Sequence, residues 1–252
     1  MTEKHLFSSS EKFKNRVLHK AKKASYLTIF ALLLCAPNMW ARDVASFVDL
    51  GFSPDGKVYM FAQYGVQTGT LRPWADLFIV DVPKNDFVRG GRLSFVHDGP
   101  VVAGQDGSGA LFRLIARNAA LAERYDVGFL CQGYTLYIAM DRGISTDRGE
   151  TIEFRDFREN VQYKAQLVPT VEGIGANLTS SFYINFEQTG ADGVKKTYTV
   201  GNPQIKRPLI NSYRIQKVMV APEDGSVIFV VAMRRDTVSG RSIRYMVEAL
   251  RM

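Results

Sequence analysis

The chain has 252 residues, 46% of them hydrophobic and 12% aromatic, and it carries 32 basic against 25 acidic side chains, a net charge of +7. The surplus is uneven: residues 1–41 hold seven basic and two acidic groups, net +5, and the other 211 residues are close to neutral at +2. That balance excludes the basic footprint of a nucleic-acid binder, and three histidines with two cysteines leave little material for a zinc site or a disulfide framework.

The first element is a leader. Lys4, Lys12, Lys14, Arg16, Lys20, Lys22 and Lys23 precede an apolar run from Tyr26 through Leu27, Ile29, Phe30, Leu32, Leu33 and Leu34 to Ala36. A basic flank, a short apolar core and a small residue at its end predict an export signal over 1–41. The core is about a dozen residues, short of the ~20 that a membrane-crossing helix needs, so no transmembrane span is expected in the mature form. Ala41 suits the cleavage position, although Met39 is larger than signal peptidases prefer. Lipid attachment at Cys35, in Leu32-Leu33-Leu34-Cys35, is the alternative, with Leu34 departing from the small residue usual before such a cysteine. With the leader gone, His97 and Cys131 are the only histidine and cysteine left. A lone cysteine makes no internal disulfide, and no Gly-x-Ser-x-Gly elbow is present to give His97 a serine partner.

Residues 42–252 carry no linker and read as one β-rich domain. Val44 to Phe52 and Lys57 to Tyr64 are strands joined by Ser53-Pro54-Asp55-Gly56, a tight turn in which Pro fixes φ and Gly accepts a positive one. Ala75 to Val82 alternates. After a Gly-rich stretch, Leu111, Leu114, Ile115, Leu121 and Ala122 recur at helical spacing, predicting one amphipathic helix over about 110–124. Ser108 stands as its N-cap, and Arg113, Arg117 and Arg124 lie on its solvated side. Strands follow at Tyr134 to Met140, Thr151 to Phe157, Val161 to Val168 and Ser180 to Gln188, the last with Phe182, Ile184 and Phe186 opposite Tyr183, Asn185 and Glu187. Gly190 to Gly193 turns the chain into Lys196 to Val200. Tyr213 to Ala221, Ser226 to Met233 and Ile243 to Leu250 finish it. Val227 to Met233 is apolar on both faces and reads as a central strand covered on both sides. The expected class is mainly β, antiparallel sheets of propeller-like or sandwich type with that one helix.

Candidate chemistry is sparse. Asp141, Asp147, Glu150 and Glu153 offer carboxylates for a hydrolytic pair, but turns are rich in acids for structural reasons. His97-Asp98-Gly99-Pro100 reads as a solvated turn after a strand, and Cys131 as a small buried residue rather than a nucleophile. Gly104-Gln105-Asp106-Gly107-Ser108-Gly109, just before the helix, is the one stretch resembling an anion cradle, against the plainer reading of a flexible entry to the helix.

The two ends of the β region look alike. Phe47 to Phe61 with Ser53-Pro54-Asp55-Gly56, and Val218 to Val230 with Pro222-Glu223-Asp224-Gly225, are both strand, Pro-acid-Gly turn, strand. This resembles the repeating unit of bacterial periplasmic propellers of the Tol-Pal type. Ser145-Thr146-Asp147-Arg148-Gly149-Glu150-Thr151-Ile152 resembles the Asp box of sialidase-like propellers, with Ile152 in the aromatic position. The resemblance implies a structural role for Ser145, Asp147, Gly149 and Thr151. Taken whole, the Phe47 to Gly65 opening, the Ala75 to Val82 strand and the Tyr213 to Val247 ending are similar to the bacterial family of predicted secreted proteins of unknown function. That resemblance implies a periplasmic or outer-envelope address and brings no catalytic, cofactor-binding or metal-binding residues. The expected function is a non-enzymatic binding or structural protein, its partner another envelope protein or a cell-wall component. The alternative is a glycan-binding or glycan-hydrolysing protein, and no cofactor is expected.

Overall fold

In the computed structural model the chain divides into two units at residues 40 and 41. The structure describes residues 42–102, 104–140, 149–237 and 240–252, and among them the second unit is built as stacked sheets, antiparallel but for one parallel edge pair, with two short helices.

The first sheet is a meander of four neighbouring strands, β2 (Ser46–Phe52), β3 (Val58–Val66), β4 (Pro73–Asp81) and β5 (Asp86–Val96), each paired with the next. Alternation gives it two apolar faces. Leu50, Met60, Ala62, Ala75, Leu77 and Ile79 face the helices α1 (Ser108–Arg117) and α2 (Ala119–Arg124). Phe52, Tyr59, Phe61, Val80 and Val82 face the second sheet.

That second sheet runs β1-β14-β13-β12-β6, with β1 (Arg42–Val44), β6 (Tyr134–Ile138), β12 (Ser212–Val220), β13 (Val227–Thr237) and β14 (Gly240–Leu250). It is the middle layer. Ile228 and Val230 pack against the first sheet, while Val227, Phe229 and Val231 pack against the third. All five are fully buried, which is why this antiparallel strand reads as a continuous apolar run. The third sheet is β10-β9-β8-β7, with β7 (Glu150–Asp156), β8 (Val161–Glu172), β9 (Thr179–Thr189), β10 (Lys195–Val200) and the two-residue β11 (Arg207–Pro208) on β9. Its inner face carries a ladder of rings, Phe154, Tyr163, Phe186 and Tyr198, each within 6.4 Å of the next. Face-to-face stacking is thus the arrangement these apolar clusters describe.

Three local readings change. The helix expected over 110–124 is split at Asn118, whose Nδ2 donates to Leu114 O at 2.8 Å and whose carbonyl accepts the N–H of Leu121. Ser108 is the first helical residue rather than the cap; Asp106 accepts its N–H at 3.0 Å and its hydroxyl at 2.5 Å. The 11-residue strand β5 is absent from the pattern because Arg89-Gly90-Gly91-Arg92 breaks the alternation at a bulge. A Cβ on Gly91 would sit 2.6 Å from Ile79 O, so only glycine lets the edge strand close up there.

Leu114 is 4% exposed and anchors α1 on the first sheet. Leu114→Ala is expected to destabilise by about 2 to 5 kcal/mol in a denaturant melt.

Candidate functional site

The segment after β5 is fixed by hydrogen bonds to the β3–β4 connection and the start of β4. His97 N donates to Pro73 O at 2.9 Å, Val101 N to Leu71 O at 2.8 Å, and Arg72 Nε to His97 O at 2.8 Å. The chain then enters α1 through Gly104 to Gly107, with Asp106 binding Ser108 as above. The result is a cleft of about 560 Å³. Pro73, Phe95, Pro100 and Val101 form its apolar side; His97, Gln105, Asp106, Ser108 and Arg113 form its polar side. The Gly104–Gly109 stretch and His97, separate readings in the sequence, therefore line one cavity.

Two arginines of α1, Arg113 in the lining and Arg117 outside it, meet the Phe95 ring. The guanidinium of Arg113 lies 5.4 Å and that of Arg117 5.0 Å from the Phe95 ring centroid, which holds one turn of α1 over β5 by cation–π attraction. Asp106 is held below the usual carboxylate range, first by its bond from the Ser108 hydroxyl. It already supplies negative charge to the helix start, as the macrodipole favours. The Ser108 hydroxyl donates to Asp106, so it is not aligned on His97 as a nucleophile would be on its base.

Of the sequence carboxylates, the two among the described residues, Glu150 and Glu153, are not brought together. Glu150 reaches across to the middle sheet, where Oε2 accepts Ile215 N at 3.0 Å beside a bulge in β12 and Oε1 lies 3.7 Å from Arg214 Nε. Glu153, three residues on and therefore on the opposite face of β7, pairs with Lys164 at 3.2 Å in solvent. Asp141, Ser145 and Asp147 lie outside the described residues. Gly149 has φ +88° with Leu167 O 2.5 Å from where a Cβ would stand, and Thr151 sits in β7 opposite Gln166. Cys131 is half-buried, its Sγ 3.6 Å from Ser53 O. Among the described residues no three His, Cys, Asp or Glu side chains are grouped to hold a metal ion.

The repeated turns are bonded as structural devices. Ser53 Oγ donates to Asp55 Oδ1 at 2.7 Å and accepts Val58 N at 2.9 Å, Lys57 N donates to Asp55 Oδ1 at 3.1 Å, and Pro54 occupies the corner. In the second turn Asp224 accepts the Ser226 N–H and hydroxyl, both at 2.9 Å. The turns abut: a Cβ on Gly56 would meet Pro222 O at 2.3 Å, and Gly56 and Gly225 both have positive φ, +69° and +70°. Bonds from Ser53 and Lys57 pull Asp55 down from 3.8 to about 2. Its folded pKa is depressed, so its contribution is present above pH 3.8 and lost as pH falls through about 2. An Asp55→Asn variant should lack that part of the acid slope in pH-dependent thermal melts.

One polar cluster was missed. Glu248, buried in β14, takes Asn85 Nδ2 at 2.6 Å on Oε2 and lies 3.5 Å from Arg207 through Oε1. Asn85 belongs to the β4–β5 turn and also accepts Ala249 N at 2.6 Å; Arg207 begins β11 and covers the Phe182 ring at 4.9 Å. One side chain thus ties together all three sheets. Burial pushes its carboxyl up, against the opposing effects of Asn85 and Arg207. The signal was a glutamate inside the otherwise apolar run Tyr245 to Leu250.

In comparison with known proteins, a family model described as a predicted secreted protein, domain of unknown function 2259, fits residues 60–251. No curated protein and no solved structure matches. The local likenesses at 53–56 and 145–152 therefore rest on their turn residues alone. No helix among the described residues is long and apolar enough to cross a membrane.

Proposed function

Because the chain belongs to the family of predicted secreted proteins, we propose that it is a non-enzymatic binding protein of the bacterial envelope, exported through the leader at 1–41 and working in the periplasm. The cleft between β5 and α1 is its binding site, and its partner is an extended segment of another envelope protein. The observation that carries this reading is the make-up of the cleft: an apolar wall of Pro73, Phe95, Pro100 and Val101 under a guanidinium, Arg113, oriented by the Phe95 ring. Such a wall receives apolar side chains, and the arginine at its rim selects an acidic residue beside them. Phe112, 67% exposed on the neighbouring helix position, extends the apolar surface outward.

Of the acids that hydrolysis would need, Glu150 is engaged with the β12 backbone and Glu153 with Lys164. The test is photo-crosslinking in the native envelope from a reactive group placed at Phe112. A discrete protein adduct is expected with the wild-type cleft, lost in Arg113→Glu at unchanged melting temperature. An adduct that persists in Arg113→Glu removes the cleft from the interaction.

A further inference from the structure

A second concavity, of about 340 Å³, lies on the third sheet; Lys164, Gln166, Asn185, Glu187, Thr197 and Thr199 line it from the outer face, and Phe186 and Tyr198 of the intervening positions complete the lining. Strand register puts the outer-face side chains in rows across the sheet. Glu153, Lys164, Glu187 and Thr197 stand in one row; Thr151, Gln166, Asn185 and Thr199 stand in the next. With neighbouring strands ~4.8 Å apart, each row presents polar groups over roughly 14 Å, and the rows repeat about every 6.7 Å. None of the eight side chains is apolar.

We propose that this face binds a neutral polyhydroxylated chain, an oligosaccharide. The charges on it are matched within the sheet: Lys164 pairs with Glu153 at 3.2 Å, and Lys195 with Glu187 at 2.8 Å. An anionic ligand would meet Glu153 and Glu187, and a cationic one Lys164 and Lys195, so neither sign is favoured. What remains is a centre of amides and hydroxyls. Asn185 Nδ2 donates to Gln166 Oε1 at 3.3 Å, which fixes both amide planes and leaves Gln166 Nε2, Asn185 Oδ1 and the Thr197 and Thr199 hydroxyls on the open side. Donors and acceptors interleaved at this spacing complement groups that are themselves both donor and acceptor, as every sugar hydroxyl is. Tyr183, half-buried two residues before Asn185 on the same face of β9 and opposite Val168, places an aromatic residue in the row beside the second, against which the C–H face of a sugar ring can lie. The site is separate from the cleft at α1 and does not depend on it.

The experiment is titration calorimetry of the purified secreted protein against maltohexaose, cellohexaose and the hexamer of N-acetylglucosamine, with dextran sulfate as the polyanion. At least one neutral hexamer is expected to bind with little dependence on salt. Asn185→Ala and Gln166→Ala should each weaken it by about tenfold, the loss of one or two well-placed hydrogen bonds. Because both residues are exposed, the melting temperature should not move, and Arg113→Glu should bind the sugar as wild type does. Absence of binding at about 10 mM hexamer, where even a Kd near 1 mM would show, overturns the proposal. So does sugar binding that survives both substitutions, or a preference for dextran sulfate that falls steeply with salt.

Discussion

Arg207→Met is expected to destabilise the protein by about 3 to 5 kcal/mol at pH 7, because it leaves the Glu248 carboxylate buried without its cation. The two side chains are 15% and 7% exposed, so solvent does little to screen the loss. The cost has a pH signature. Glu248 has a folded pKa raised above its ordinary 4.5, first by desolvation. A carboxyl of that kind favours the folded state most below pH 4.5, and its contribution is lost as pH rises through the folded value. Removing Arg207 raises that value further, so the penalty should shrink as the solution is acidified toward pH 4.5. Glu248→Gln in the Arg207→Met background should recover much of the stability at pH 7 and flatten the profile. Urea melts of the three variants across pH 4.5 to 8 measure both effects. A penalty independent of pH would mean that the lost packing of Arg207 on Phe182, rather than the stranded charge, dominates.

Phe229→Ala is expected to cost about 3 to 5 kcal/mol in the same melts. Phe229 has no exposed surface, lies in β13, the central strand of the middle sheet, and meets the Phe186 ring edge-on at 5.2 Å. Its neighbours are strands in register on both sides, Val218 in β12 and Glu248 in β14, so the backbone has little room to collapse into the cavity. Phe112→Ala, on the exposed side of α1, removes the same atoms and should fall within about 0.5 kcal/mol of wild type.

The core of this architecture was legible where periodicity is unambiguous. Val227 to Met233 announced a doubly covered strand because residues of both parities are apolar, and the clusters on its two faces bear that out. The Phe182, Ile184, Phe186 alternation likewise named the inner face of β9. β5 was not legible, since its glycines and arginines interrupt an edge strand whose apolar residues, Val88, Leu93 and Phe95, are only partly buried. The cleft suffered in consequence. His97 and the Gly104–Gly109 stretch stood out by composition, but Phe95 belongs to β5, and without that strand nothing linked Arg113 and Arg117 to an aromatic partner. The outer rows of the third sheet were equally silent, because a row is assembled from four segments and depends on register that no single segment encodes.

The middle sheet consists of strand 1, strand 6 and strands 12 to 14, and this dictates when the protein can fold. Strands 2 to 5 are contiguous and can pair as soon as residues 46–96 are available. Yet the face that carries Phe52, Tyr59, Phe61, Val80 and Val82 has no cover until residues 212–250 arrive. The same wait applies to the ring ladder of strands 7 to 10, whose cover also comes from strands 12 and 13. A chain delivered amino end first therefore passes through a stage with two open aromatic sheets and no layer between them, the kind of species that associates with its own copies. The closing contacts join residues about 200 positions apart, Asp43 with Arg244 at 2.6 Å among them. High contact order of this kind makes the last step slow. Loss of the final two strands would leave two incompatible halves rather than a smaller version of the same protein.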